Sequence, residues 1–286
     1  MNDVYRHMLL LGDCLEKLKE FEDESIDACI TDPPYGMGMD VWDKNVPPIE
    51  LWREVYRVLK PGSFCLSFCS PELYHRMAVN VEDAGFLIKD QIMWMVTTKM
   101  VKKNRLKPAH EPIVVAQKPL VGSIENNQNQ YGVGQINIDD VRVPWDGKPP
   151  TGWVGNQHQR RKFGREKTSV TGEEKRIDAN PNGRYPSNIV GEVLPEHQKY
   201  FYAPRATRRE KGESNNHPTV KPVSLMEWLV KIYSHPDNVV LDPFMGSGTT
   251  GVACMNLSRE FIGIDQCEDY YKIAEERMIL ATSIQL

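Results

Sequence analysis

The sequence predicts an α/β chain in which a sheet of parallel βαβ units is split by a basic insert. Three observations predict it. Strand-like and helical apolar patterns alternate from about residue 7 to 116, the rhythm fails from about Leu120, and it resumes near Val223. At 286 residues and 40% hydrophobic content, the chain can bury a sizeable core.

The elements follow in order. His7–Leu11 reads as a short strand, and Leu15 and Leu18 give Cys14–Phe21 helical spacing. Ile26–Thr31 is an apolar, β-branched strand. Within Ile49–Leu59, residues Leu51, Trp52, Val55, Val58 and Leu59 mark one helical face, closed by Pro61-Gly62. Ser63–Cys69 is strand-like, Pro71–Ala84 helical, Phe86–Val96 extended, and Ile113–Ala116 a short strand after Pro112. Beyond Leu120, the Asn/Gln run at 126–130 and the stretch Lys148–Gly183 carry little periodicity, as expected of a functional or mobile insert. Leu225, Met226, Leu229, Val230 and Tyr233 restore a helical face, with Pro222 suited to its first turn. Strand Val239–Leu241, a helix over Gly248–Asn256, strand Phe261–Ile264 and a helix over Glu268–Leu280 complete the chain.

The net charge of −4 alone argues against a nucleic-acid partner. Its distribution points the other way. Residues 99–211 carry 21 Lys and Arg against 12 Asp and Glu, and the rest of the chain carries 14 against 27. A basic middle in an acidic body is the footprint of a segment that meets phosphates. The six cysteines lack metal-ligand spacing and read as reduced, buried thiols. No apolar run reaches membrane-spanning length and the polar start is no signal peptide, so a cytoplasmic protein with no membrane partner is expected.

Two strings carry the chemistry, each directly after an apolar strand and so at the edge where open α/β sheets bind ligands. The later one, Asp242-Pro243-Phe244-Met245-Gly246-Ser247-Gly248-Thr249-Thr250, is a glycine loop running into a helix. Its glycines let the backbone approach a ligand, and the helix start offers free N–H groups. Asp265, 23 positions after Asp242, ends the next strand where an acid can hold ribose hydroxyls. The loop lacks the third glycine of a dinucleotide fingerprint, and Asp242 aimed at the ligand would repel pyrophosphate but suit a sulfonium or an amine. The balance leans from NAD toward S-adenosylmethionine.

The earlier string is Asp32-Pro33-Pro34-Tyr35. Consecutive prolines fix φ and remove two donors, leaving outward carbonyls. With the Asp32 carboxylate they can accept both N–H bonds of an exocyclic amine, and Tyr35 offers a stacking face. Such a clamp readies the nitrogen lone pair to attack a methyl group. A base inside a duplex must be flipped out to reach it. No cysteine follows a proline, which removes the nucleophile of cytosine carbon-5 methylation, and there is neither a zinc-ligand cluster nor a Gly-x-Ser-x-Gly elbow.

Together these strings resemble the amino-group DNA methyltransferases, in the permuted β group that places the catalytic motif first. Gly12-Asp13-Cys14-Leu15, His217-Pro218-Thr219-Val220-Lys221-Pro222, Phe261-Ile262-Gly263-Ile264-Asp265 and His110-Glu111-Pro112-Ile113-Val114-Val115 are similar to further family segments in the same order. So are Gln135–Asp139 and Gly183–Asn188, as in phage and bacterial members. The resemblance implies a Rossmann-like class I S-adenosylmethionine-dependent methyltransferase fold with an antiparallel final hairpin. It implies a catalytic domain in two parts, 1–119 and 212–286, around a target-recognition insert at 120–211.

By the same resemblance, Asp32 and the Pro33 carbonyl hold the target amine beside Pro34, and Tyr35 stacks on the flipped base. Phe244, Gly246, Ser247, Gly248 and Thr249 line the cofactor, with Cys14 and Asp13 at its adenine and Asp265 at its ribose. Asp242 lies near the methionine amino group, and Thr219 and Lys221 near its carboxylate. Lys102, Lys103, Arg105, Arg160, Arg161, Lys162 and Arg184 are the expected contacts to double-stranded DNA. Acid rather than serine at position 32 favours adenine N6 over cytosine N4. A catalytically silent DNA-binding protein, or amine methylation of RNA or protein, are the readings from other classes. A homodimer and a companion restriction nuclease are compatible partners that no residue specifies.

Overall fold

The computed structural model describes residues 7–38, 43–96, 104, 106, 108–147, 153–154, 176–177, 179–191 and 220–284. In chain order the elements begin with β1 (Met8–Leu11), α1 (Cys14–Leu18), β2 (Ile26–Thr31), α2 (Ile49–Val58), β3 (Leu59–Phe68), α3 (Tyr74–Asp83), β4 (Leu87–Met95) and β5 (His110–Gln117). Then come α4 (Ile124–Tyr131), a 3-10 turn at Ile138–Val141, the two-residue strands β6 (Trp153–Val154) and β7 (Arg176–Ile177), and β8 (Ile189–Gly191). The chain closes with α5 (Val223–Tyr233), β9 (Val239–Asp242), α6 (Thr249–Asn256), β10 (Glu260–Asp265) and α7 (Glu268–Ile284).

Eight strands form one sheet in the order β1-β10-β9-β2-β3-β5-β4-β8, and β6 pairs with β7 apart from it. Helices cover both faces. Leu18, Trp52, Val55, Met77 and Val81 from α1–α3 bury one side, and Leu225, Leu229, Ala253, Ala274 and Met278 from α5–α7 bury the other. Among the described residues no helix is long and apolar enough to cross a membrane.

The sheet is not wholly parallel, contrary to the βαβ rhythm. β5 runs antiparallel to both β3 and β4, pairing Phe68 with Ile113 and Trp94 with Glu111. A short run buried on both faces carries no directional signal, so the apolar pattern of Ile113–Ala116 fixes its burial and not its sense. The antiparallel hairpin implied by the family resemblance is the arrangement present.

Local chemistry moves other boundaries. Pro61-Gly62 does not separate α2 from a strand at Ser63; β3 starts at Leu59 and carries the pair in a bulge, because Ile26 pairs with Leu59 while Ala28 pairs with Phe64. Gly62 takes φ +83° there and donates its N–H to the Lys118 carbonyl at 3.1 Å. Asp27, 5% exposed in the middle of β2, is satisfied by Lys60 Nζ at 2.7 Å and the Val239 N–H at 2.8 Å.

The predicted insert is also less separate than its composition suggests. β8 joins the main sheet parallel to β4, and Asn137 just before the 3-10 turn donates to the Lys231 and Ser234 carbonyls at 3.1 and 2.7 Å. Helix α4 lies in the Asn/Gln run that lacks an apolar stripe. Its ends explain it: Ser123 accepts the Asn126 N–H at 3.1 Å, and Gly132 closes the helix at φ +76°. The buried Asn127 amide donates to the Pro61 and Val133 carbonyls at 2.9 and 2.8 Å and accepts from the Val121 N–H at 2.9 Å.

Replacing Asn127 by Ala orphans two buried carbonyls and one N–H. Urea unfolding of this variant is expected to show a loss of about 2–4 kcal/mol, from an unsatisfied-group cost of roughly 1–3 kcal/mol each with partial relaxation. A loss under about 0.5 kcal/mol, the range of an ordinary surface substitution, contradicts the role given to this amide.

Candidate active site

Strands β2 and β9 are neighbours, with Ala28 opposite Val240 and Cys29 opposite Leu241. Their carboxyl ends therefore put the Asp32 and Asp242 strings side by side. The contact is direct: Thr31 Oγ1 donates to Asp242 Oδ1 at 2.7 Å across the two strands.

The Asp242 carboxylate does not project toward a ligand, as the sequence reading expects. It is 2% exposed, and its other oxygen accepts the Thr250 hydroxyl at 2.6 Å while Oδ1 also takes the Phe244 N–H at 3.1 Å. Burial pushes its pKa up to about 6 against these hydrogen bonds. The side chain knots the strand ends and the glycine loop together from inside.

The loop itself is shaped for close approach. Gly248 precedes α6 at φ +75°, and a Cβ there would meet the Ala274 Cβ at 2.9 Å. Ser247 and Thr249 turn their polar atoms to α7, where Arg277 Nη1 donates to the Ser247 carbonyl and hydroxyl and the Thr249 hydroxyl at 2.6, 3.0 and 3.0 Å. Arg277, absent from the sequence reading, clamps the loop from behind, so these two side chains serve its shape. Phe244 remains half-buried against the core beneath.

Asp265 ends β10 and accepts the Gly246 and Cys267 N–H groups at 2.9 and 2.8 Å; burial raises its pKa. Gly12 donates its N–H to the Asp265 carbonyl at 2.9 Å, which brings Asp13, the N-cap of α1, to the same rim. Cys14 is half-buried and its thiol is pushed up to about 12 by burial and by Asp13, so it is no nucleophile.

At the other end of the rim, Tyr35 Oη donates to Asp32 Oδ1 at 2.6 Å. Pro33 is buried and Pro34 half-buried between them. Lys221 is placed differently from its expected position beside a cofactor carboxylate: its ammonium donates to Asp32 Oδ2. That ammonium lies 5.6, 5.1 and 6.0 Å from the ring centres of Tyr35, Phe68 and Trp94, and 3.7 Å from Glu111 Oε2. Tyr35 Oη also approaches Glu111 Oε2 at 3.4 Å. Burial opposes the Lys221 charge, but Asp32 and then Glu111 outweigh it and raise its pKa. Burial likewise raises Asp32, with Lys221 and Tyr35 pulling the other way.

Two residues here escaped sequence reasoning. Glu111 reaches the rim because antiparallel β5 begins where its neighbours end. Asp43 is 3% exposed and accepts the N–H groups of Tyr35, Gly36 and Met37 at 2.7, 2.7 and 3.2 Å, fixing the backbone after the Pro-Pro pair. Of the remaining expected residues, Arg184 is half-buried, its backbone bridging to Val143. Thr219, Lys102, Lys103, Arg105, Arg160, Arg161 and Lys162 lie outside the described residues.

Comparison with known proteins agrees with this geometry. Residues 26–276 match the family described as DNA methylase (N6_N4_Mtase). Type II methyltransferase M.HpaI of Haemophilus parainfluenzae is 28% identical over 94% of this chain and 73% of its own length. Type II methyltransferase M.HindIII of Haemophilus influenzae is 26% identical over 93% of each. The fold is also similar to that of the M1.HpyAVI–SAM complex, with a TM-score of 0.54, 23% identity, and coverage of 95% of this chain and 98% of that one. PvuII DNA methyltransferase, cytosine-N4-specific, gives a TM-score of 0.61 at 16% identity, covering 98% and 91%.

The position of Asp242 has a pH consequence. Its folded pKa of about 6 lies above its unfolded value of 3.8, so the protonated form is favoured by folding. That contribution is complete below pH 3.8 and disappears as pH rises through 6. In Asp242→Asn the carbonyl keeps Thr31 and the Phe244 N–H, and the new amide faces Thr250. Stability measured by urea unfolding across this window is expected to fall by about 2–3 kcal/mol less in the variant than in the wild type. Identical slopes would show that the carboxyl ionises freely.

Proposed function

The chain belongs to the DNA methylase family, and from that premise we propose that it methylates the exocyclic N6 of an adenine flipped out of duplex DNA. The DNA methyltransferase activity and the S-adenosyl-L-methionine cofactor come with the family; the base and the site residues are the proposal. The observation that carries it is Lys221. A primary amine nitrogen already sits on Asp32 among three aromatic rings.

The residues fit the cofactor. Along the rim β1, β10, β9 and β2 present Asp13, Asp265, the Phe244–Gly248 loop and Asp32 in spatial order. Four strands about 4.8 Å apart span about 14 Å, so these residues would hold the cofactor along the rim and its methyl would be supplied at the Asp32 end. When bound, S-adenosylmethionine supplies an electrophilic methyl whose bonding pair leaves with sulfur. Asp265 is positioned for the ribose and Asp13 for the adenine. Ser247, Thr249 and Asp242 act behind the loop by fixing its course.

Asp32 accepts one N–H of the target amine and the Pro33 carbonyl the other, which turns the nitrogen lone pair toward the methyl. Tyr35, held by Asp32 and by Asp43 beneath its backbone, offers its ring to the extruded base. As the N–C bond forms the nitrogen becomes cationic, and Asp32 takes the proton it then releases and passes it to water. The Asp32 carboxylate, rather than a serine hydroxyl, favours adenine in this family. The basic region 120–211 supplies the duplex-binding surface, with β8 inside it joined to the main sheet.

Duplex DNA incubated with the protein and labelled cofactor is expected to yield N6-methyladenine on nucleoside digestion, and N4-methylcytosine would overturn the base assignment. Asp32→Ala is expected to lower this transfer by at least about 100-fold while cofactor affinity changes less than about 3-fold. An equal loss of cofactor binding would remove Asp32 from its assigned role.

A further inference from the structure

We propose that Glu111 is a second catalytic carboxylate, facing the target nitrogen and stabilising the positive charge that develops on it during methyl transfer; this rests on the amine-methylation reading above. The support is what the pocket already holds. Lys221 Nζ occupies the Asp32 acceptor with Glu111 Oε2 at 3.7 Å and the rings of Tyr35, Phe68 and Trp94 around it. Two carboxylates and three ring faces form an environment matched to a cationic nitrogen.

The substrate amine is neutral and becomes cationic as its lone pair forms the N–C bond and the C–S pair leaves with sulfur. An environment matched to the cation is therefore complementary to the transition state more than to the bound base, which is the condition for raising kcat rather than affinity. Asp32 touches the amine in both states. Glu111, on the strand that runs opposite to its neighbours, adds charge without being needed for the ground-state hydrogen bonds. The phenol of Tyr35 joins the two, at 2.6 Å from Asp32 and 3.4 Å from Glu111. The proton shed by the methylated nitrogen goes to Asp32 and then to water, while Glu111 stays ionised. Lys221 must give up its place on Asp32 when a base enters, so the amine competes with a lysine that marks its position.

The test compares Glu111→Gln and Glu111→Asp with wild-type protein on one duplex. Cofactor-saturated turnover gives kcat and the DNA KM, and cofactor-free titration of a duplex with 2-aminopurine at the target position reports extrusion of the base. Glu111→Gln is expected to lower kcat by about 30-fold, with the KM and the fluorescence change within about 2-fold of wild type. Glu111→Asp retains the charge and is expected to stay within about 5-fold in kcat. Unchanged kcat in Glu111→Gln overturns the assignment. So does a parallel loss of turnover and base extrusion in both variants, which would make Glu111 a wall of the pocket. Turnover by wild-type protein in the same assay separates either result from failure of the methylation reading itself.

Discussion

The site depends on one buried carboxylate. Asp242 joins β2 through Thr31, α6 through Thr250 and its own loop through the Phe244 N–H, at the point where two strands distant in sequence end side by side. Without that knot, the neighbouring strands would still align the two motifs in register and Arg277 and Asp265 would still hold the glycine loop, but the loop would lose its direct hydrogen-bonded tie to β2. The constraint is severe because the group is buried: an unpaired acid there would be costly, so the hydroxyls and the N–H must all be in place together. Burial of the knot and shape of the cleft are consequently the same fact.

Much of this was legible in the chain. Apolar strands followed by glycine or proline strings placed both motifs on one rim, and the acid at 265 had the spacing to share it. Direction was not legible in the apolar pattern and came only with the family resemblance. Ile113–Ala116 is buried on both sides, so its pattern is the same whichever way the strand runs. Reading it as parallel puts residue 111 at the far edge; the true antiparallel pairing with Trp94 puts it in the pocket. A single undetermined sign thus hid one of the two acids that face the lysine.

The other discrepancies share a cause. Sequence reading assigns a polar side chain to a ligand when it lies in a ligand-binding string, yet the fold also needs polar groups to hold that string. Ser247 and Thr249 are spent on Arg277, 30 and 28 positions away. Asp43 is spent on three successive backbone N–H groups. No local pattern announces such long-range partners. In the opposite direction, α4 was hidden because its stability lies in caps and a buried amide rather than in an apolar stripe.

These partners also sort the acids of the rim by what they can do. Asp43 is held by backbone N–H groups, and Asp242 by two short hydroxyl side chains and an N–H, parts of the fold that cannot step aside for a ligand without disturbing the backbone. Asp265 accepts one N–H on each oxygen and keeps further lone pairs for a ribose. Asp32 is held by side chains, a lysine ammonium and a phenol, each on a different segment. A carboxylate can exchange its partner for a substrate only if that partner can leave, and a lysine on a long flexible stem can leave when the incoming amine replaces it on the carboxylate. The same carboxyl chemistry therefore serves structure where the donors are backbone or short side chains fixed by the fold, and reaction where the donor sits on a long flexible stem. Glu111 stands beside that displaceable charge, and this places it with Asp32 rather than with the acids that hold the fold.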